Sequence, residues 1–254
     1  MKIKNNTVLI TGGGSGIGLA LALKLSQTGN TVIICGRNED RLKKAIKDNP
    51  LLHYMACDII KDADRNRLLK QMEERFPALN ILVNNAAVQI YMDLADVESN
   101  LADVDIQIET NFTAPIKLIG MMMPLLLTKE NAAIINISSD LAYVPMALAP
   151  VYCVTKAAMH SYTRSLRYQL RDRFIKVFEI FPSITKTELD KLDRKKADPV
   201  HVARKIVSGV SKDRLEMRIG QAKIVYLMSR LCPKFAHSIL NKIVSTSEKK
   251  DASR

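Results

Sequence analysis

The chain has 254 residues, 47% of them hydrophobic and 25% charged, which suits one α/β domain with a sizeable core and excludes a disordered chain. Its formal net charge of +12 invites an anionic partner: a phosphorylated ligand, an anionic membrane or nucleic acid. The absence of Trp, of zinc-finger spacing and of interleaved aromatic and basic residues argues against a nucleic-acid module, so no nucleic-acid partner is expected.

Short β-branched runs alternate with segments of helical period. A first strand is predicted at Thr7–Thr11, followed by a helix over Gly16–Thr28 and a strand at Thr31–Cys35. Next come a helix over Asn38–Lys47, a strand at Leu52–Cys57, a helix over Asp62–Arg75 and a strand at Ile81–Asn85. A long helix from about Ser99 to Leu127 leads to a strand at Ala133–Ser138, a helix over Val151–Arg173 and a strand at Lys176–Phe181. A helix over Pro199–Ser211 and a seventh strand at Leu215–Ile219 close the series. The strands are apolar almost throughout, which implies burial on both faces and a parallel pairing. The expected fold is therefore α/β: a doubly wound, Rossmann-type parallel sheet of about seven strands with helices on both faces. Nothing in the chain reads as a linker or a repeat, so 1–220 is expected to form one catalytic domain, followed by a basic amphipathic extension over 221–254 whose last residues are disordered.

The four cysteines, Cys35, Cys57, Cys153 and Cys232, lack ligand spacing, so no metal site is expected, and free thiols suit a reducing cytoplasm. "MKIKNNTVLI" has no long apolar stretch behind its charges, so no signal peptide is expected. The apolar run "IGMMMPLLL" is too short to span a bilayer, and the protein reads as soluble.

"TVLITGGGSGIG" passes from strand through a glycine turn into a helix. Gly12 turns the chain off the strand, Gly16 lets backbone approach a pyrophosphate, and Gly18 permits close helix–strand contact. The helix N-terminus favours the phosphate charge, so a dinucleotide site is expected here. At the end of the second strand a carboxylate would bind the adenosine ribose of NAD, whereas an arginine accommodates the 2′-phosphate of NADP. This chain has Gly36 and then Arg37, which favours NADP(H) and leaves NAD(H) as the alternative. Asn38 is placed to cap the following helix, with Glu39 and Asp40 in its first turn.

In "VYCVTKAAM" Tyr152 and Lys156 lie at i and i+4, on one face of a helix. Alone, that spacing favours a packed ring and a solvated amine. With the glycine loop it also fits a phenol and an ammonium that move a proton, since a neighbouring ammonium favours phenolate.

The glycine loop resembles that of the short-chain dehydrogenases/reductases, and the family's other motifs occur in order over about residues 5 to 190. Asp58 in "ACDI" matches the acid that contacts the adenine, "NNAA" (Asn84–Ala87) is similar to NNAG, and "PSITKT" (Pro182–Thr187) resembles PGxxxT. Asn111 in "ETNFTAP", Ser139 and the Tyr152–Lys156 pair match the catalytic positions. The resemblance implies reduction of a ketone or aldehyde, or oxidation of the matching alcohol. In it Tyr152 is the general acid, Ser139 holds the substrate oxygen, Lys156 also binds the nicotinamide ribose, and Asn111 holds a water in the proton relay. It also implies a cofactor site built from Thr11, Gly12, Ser15, Gly16, Ile17, Gly18, Arg37, Asp58, Ile59, Asn85, Ala86, Ala87, Tyr152, Lys156, Pro182, Thr185 and Thr187. Ala87 and Ser183 depart from the family's glycines, which implies a slightly altered pocket. Cys153 stands where a small residue is usual, and its side chain is expected to point away from the Tyr–Lys face. Homodimers or homotetramers through the long central helices are implied as well. Within the family the chain resembles oxidoreductases encoded beside lipoteichoic-acid D-alanylation genes of Gram-positive bacteria.

After Thr187, "ELDKLDRKKADP" is a lid over the substrate or a solvated connector. Apolar residues at 224, 225, 227, 228, 231, 235, 239, 240 and 243 keep helical spacing around Pro233, with Lys223, Arg230, Lys234 and Lys242 as the polar complement. This extension suits core or subunit packing, or peripheral contact with an anionic membrane. Two functions stay open: an NAD(P)(H)-dependent oxidoreductase, and a cofactor-binding regulatory or membrane-associated protein with little turnover.

Overall fold

The computed structural model describes residues 1–47, 49, 51–92, 101–187, 189 and 196–251. Seven strands form one sheet, all pairs parallel: β1 (Thr7–Thr11), β2 (Thr31–Gly36), β3 (Leu52–Ala56), β4 (Leu79–Asn84), β5 (Ala132–Ile137), β6 (Ile175–Pro182) and β7 (Glu216–Ile219). Their spatial order, β3-β2-β1-β4-β5-β6-β7, reverses between β1 and β4, the switch point at which ligands of such sheets bind. The expected doubly wound fold is the observed one.

Side-chain alternation divides the core in two. One face carries Val8, Ile10, Val32, Ile34, Ile81, Val83, Ile135, Phe178 and Ile180, covered by α1 (Gly16–Ser26), α2 (Glu39–Lys47) and α7 (Pro199–Ser211). The other carries Leu9, Ile33, Leu82, Ile134, Ile175 and Val177, covered by α3 (Asp62–Arg75), the long helix and α6 (Pro150–Gln169). Asn38 caps α2 as expected, its Oδ1 accepting the Arg41 N–H at 2.9 Å, and Asp198 Oδ1 accepts the Val200 N–H at 3.1 Å ahead of Pro199.

The long helix consists of α4 (Leu101–Ile108), a π-helical turn at Glu109–Thr113 and α5 (Ala114–Leu127). The run "IGMMMPLLL" closes a 27-residue helix that is long and apolar enough to cross a membrane by length and composition only. Its Leu118, Ile119, Met122 and Leu126 are instead buried in the core beneath the sheet. The start of the predicted helix at Ser99 and most of the predicted lid (188 and 190–195) lie outside the described residues, as do 252–254.

Beyond β7, α8 (Ala222–Leu231) and α9 (Pro233–Asp251) divide where Pro233 interrupts the pattern. Arg218 fastens α8 to the body: its guanidinium lies 3.7 Å from the Tyr226 ring centroid and 5.5 Å from those of Tyr143 and Phe181. Asn241 on α9 accepts the Ala147 N–H at 2.7 Å and donates to the Pro145 carbonyl at 3.3 Å.

Candidate active site

A cleft of about 600 Å³ opens at the carboxyl ends of the strands. Its wall holds Gly12, Ser15, Gly16, Ile17, Arg37, Asp58, Ile59, Asn85, Ala86, Ala87, Ser139, Tyr152, Lys156, Pro182, Thr185 and Thr187, all of them named from the sequence. It also holds residues that sequence reasoning missed, among them Arg41, Cys57, Ser138, Asp140, Thr110 and Ile184. Arg41 follows Arg37 by one helical turn, a spacing that could have revealed it; the others reach the wall only through tertiary packing.

Three predicted residues lie behind this wall rather than on it. Thr11 is buried, and its hydroxyl accepts the N–H groups of Asn85 and Ala86, each at 3.0 Å, tying the loop after β4 to the glycine loop. Gly18 is the packing glycine: a Cβ there would stand 2.4 Å from the Gly12 carbonyl oxygen and 2.5 Å from Asn85 Nδ2. Asn111 is in the π-turn with its amide fully used. Its Oδ1 accepts the Val88 N–H at 2.8 Å, while Nδ2 donates to the Val88 carbonyl at 2.8 Å and to Thr155 Oγ1 at 3.2 Å. Thr155 in turn donates to the Tyr152 carbonyl at 2.7 Å, so the Asn111 side chain fixes the start of α6 rather than facing the cleft.

The phosphate end of the cleft is built from backbone. Gly16 has φ +54°, and a Cβ on it would meet Thr187 Cγ2 at 2.9 Å, so only glycine leaves this passage open. The first turn of α1 contains no acidic residue, and the Ser15 side chain makes no capping bond, which leaves that helix end positive toward the cleft. At the far end Arg37 and Arg41 stand beside Gly36, with no carboxylate closing β2. A bare glycine turn, a positive helix end and a guanidinium pair fit the pyrophosphate and phosphate groups of a dinucleotide.

At the other end, Tyr152 and Lys156 rise from successive turns of α6, with Lys156 Nζ 5.4 Å from the Tyr152 ring centroid. Both are buried, Lys156 to 3% exposure. Nζ donates to the Ile137 carbonyl at the end of β5, at 3.0 Å. Burial pushes the Lys156 ammonium down to about 8, partly opposed by the charge of Glu179. Ser139 serves two ends: it lines the cleft, and its Oγ accepts the Leu141 N–H at 3.2 Å, capping a 3-10 turn at Asp140–Ala142. Cys153 is buried away from the cleft with Sγ accepting the Met146 N–H at 3.2 Å, and burial raises its thiol pKa. Of the two departures, Ala87 is on the wall, and Ser183 Oγ lies 2.5 Å from where Gly220 would carry a Cβ, so the added hydroxyl is accommodated by a glycine opposite it.

Tyr152 belongs to a buried apolar cluster with Leu141, Met146, Ala149 and Cys153, against which Tyr91, Leu148, Leu189 and, from α9, Leu240 pack.

The short chain dehydrogenase family model matches residues 6–198. The uncharacterized oxidoreductase DltE of Bacillus subtilis is 45% identical over 197 residues, covering 77% of this chain and 78% of that protein. The uncharacterized oxidoreductase SERP2049 of Staphylococcus epidermidis is 30% identical over 216 residues, covering 83% and 93%. Among solved structures, a short-chain dehydrogenase of Burkholderia cenocepacia in complex with NADP superposes with TM-score 0.84 at 20% identity, covering 94% of this chain and 99% of that one. A short-chain dehydrogenase/reductase of Burkholderia phymatum in complex with NAD gives TM-score 0.83 at 19% identity, covering 92% and 95%. On sequence and on fold, the chain belongs to the short-chain dehydrogenase family and is an NAD(P)-dependent oxidoreductase of that family.

Proposed function

We propose that the protein reduces a ketone or aldehyde with NADPH, Tyr152 acting as general acid. The observation that carries this reading is one continuous cleft with a guanidinium pair, Arg37 and Arg41, at one end and a buried Tyr152–Lys156 pair at the other. The two arginines offer planar forks to a ribose 2′-phosphate, and no acid after β2 competes for the ribose of NAD. The glycine loop from Gly12 to Gly18 with Ser15 and Ile17, Asp58 and Ile59 at the adenine, and Asn85 to Ala87 with Pro182, Thr185 and Thr187 along the nicotinamide half would hold the cofactor. When bound, that cofactor supplies the hydride. Ser139 orients the carbonyl oxygen, Tyr152 donates its phenolic proton to that oxygen, and the Lys156 ammonium lowers the cost of the developing phenolate. Asn111 acts through the Val88 and Thr155 contacts that set the start of α6. The apolar surroundings of Tyr152 favour a substrate with hydrocarbon beside its carbonyl.

Tyr152→Phe tests the reading. Turnover of every aldehyde and ketone that the wild type reduces should vanish, while NADPH binding, followed by its fluorescence, stays within about threefold. Wild-type turnover in that variant refutes it.

The partner reading has two parts. Leu101, Ile108 and Leu127 on the long helix and Val154 on α6 are exposed apolar side chains available to a second copy, as a homodimer or within a homotetramer. On α8 and α9, Ile224, Leu227, Leu231 and Phe235 are exposed, with Lys223, Arg230 and Lys234 around them. Over 221–254 this suits peripheral contact of a cytoplasmic protein with an anionic membrane, the apolar side chains entering the interface and the cations meeting headgroups. The same extension packs Leu240 against the apolar cluster that contains Tyr152, so it is proposed as an addition docked on the 1–220 domain.

A further inference from the structure

Behind the reacting pair lies a buried polar row that neither the glycine loop nor the tetrad of catalytic positions explains. The face of the sheet under α6 is apolar at Leu82, Ile134 and Val177, then turns polar one step nearer the cleft, at Asn84, Asn136 and Glu179. These three are in register: Asn84 pairs with Asn136, and Asn136 with Glu179. Asn84 Nδ2 donates to Asn136 Oδ1 at 2.9 Å, and Asn136 Nδ2 donates to Thr163 Oγ1 on α6 at 2.9 Å. Glu179 is 0% exposed. Its Oε2 is 2.8 Å from His160 Nδ1, and its Oε1 has no hydrogen-bond partner among the described residues.

A carboxylate in that position costs several kcal/mol unless positive charge faces it. His160 stands one helical turn beyond Lys156 on the same stripe of α6. The Ile137 carbonyl that anchors Lys156 Nζ belongs to the residue paired with Ile180, next along β6 from Glu179. The buried carboxylate and the buried ammonium are therefore neighbours across one strand spacing. Two other charges act on Glu179: Glu216, its register partner on β7, opposes the carboxylate, and Arg167 favours it while bonding Glu216 at 3.2 Å and the Val177 carbonyl at 3.0 Å. Tyr143 completes the surroundings, its ring 5.4 Å from that of His160. Lys156 has no direct ion pair among the described residues.

We propose that Glu179, held by His160, is the buried counter-charge that keeps Lys156 an ammonium beside Tyr152, which makes it a positioning residue for proton transfer. The inference rests on Tyr152 and Lys156 being the proton-transfer pair. Burial drives both groups toward their neutral forms, raising the Glu179 carboxyl and lowering the Lys156 ammonium. The Glu179 charge opposes that drift in Lys156, as His160 opposes it in Glu179.

A double-mutant cycle in urea unfolding tests this on the apo protein: wild type, Glu179→Gln, Lys156→Met and the double variant, at pH 7 and pH 10. At pH 7 Glu179→Gln should lower the unfolding free energy in the Lys156 background by the equivalent of about tenfold or more in the folding constant, and by no more than about twofold in the Lys156→Met background. At pH 10, where Lys156 is neutral in the folded protein, the difference between backgrounds should vanish. Equal effects in both backgrounds, or a coupling that persists at pH 10, overturn the proposal. Should Glu179→Gln fold only in the Lys156→Met background, that supports it; failure to fold in either background assigns Glu179 a packing role and overturns it. The cycle reads folding alone, so its outcome is distinct from whether any carbonyl is reduced.

Discussion

Lys156 makes the stability of this protein depend on pH in a direction opposite to most lysines. Its ammonium is lowered from the ordinary 10.5 to about 8, mainly by burial and against the pull of Glu179. At about 1.4 kcal/mol per pH unit this amounts to ~3 kcal/mol, with no discount for solvent because the side chain is buried. The sign follows from proton counting. Below about pH 8 the folded and unfolded chains both carry the proton, and the folded chain bears the whole cost of the buried charge. Between about 8 and 10.5 the unfolded chain binds more protons than the folded one, so stability rises with pH; above 10.5 the cost is gone. Lys156→Met, of similar length and without charge, should therefore be more stable than wild type by ~3 kcal/mol at pH 7. The advantage should shrink toward zero by about pH 10.5. Urea unfolding of both proteins at pH 7, 8.5 and 10, followed by circular dichroism, measures it. A difference that does not change with pH, or a variant less stable than wild type at pH 7, refutes the reasoning.

Replacing both Arg37 and Arg41 with Ala should raise the Michaelis constant for NADPH by about 100-fold and that for NADH by no more than about threefold, since a charge-assisted bond is worth about 1.5–3 kcal/mol. Equal losses for both cofactors would remove the 2′-phosphate assignment. Gly18→Ala places a Cβ 2.4 Å from the Gly12 carbonyl oxygen, a backbone contact that no rotamer relieves. It should cost ~2–4 kcal/mol in denaturant unfolding and abolish saturable NADPH binding, and wild-type values for both would show that the helix can move away. Leu227→Glu with Leu231→Glu should abolish co-sedimentation with phosphatidylglycerol vesicles, and wild-type binding to phosphatidylcholine vesicles should already be weak. Vesicle binding unchanged by the pair of substitutions excludes α8 as a membrane contact. Light scattering after gel filtration should show at least a dimer, whereas a 28.4 kDa species would assign the exposed face of the long helix another role.

The glycine loop, the strand pattern and the Tyr152–Lys156 spacing were all legible in the chain because each is a local rule. A turn off a strand needs glycine whatever surrounds it, near-continuous apolar runs need burial on both faces, and residues four apart in a helix share a stripe. Predicted strands match observed ones to within two residues at either end, Thr7–Thr11 without any difference. The long helix shows where composition misleads: the run from Ile119 to Leu127 belongs to a helix long enough for a membrane, yet its inner stripe is core. The Asn111 amide, which clamps Val88 and Thr155, had no signal in the sequence, because both partners lie on other elements.

The sequence by itself determined the sheet, the glycine turn that follows β1 and the shared helix face of Tyr152 and Lys156. Only the tertiary structure decided that α9 packs Leu240 against the apolar cluster containing Tyr152, and that Glu179 and His160 stand behind Lys156. The reason is distance along the chain. Glu179 lies on a different element from Lys156 and carries no local signal, because a single carboxylate in an apolar strand gains meaning only from the charges that sheet register and helix packing set against it.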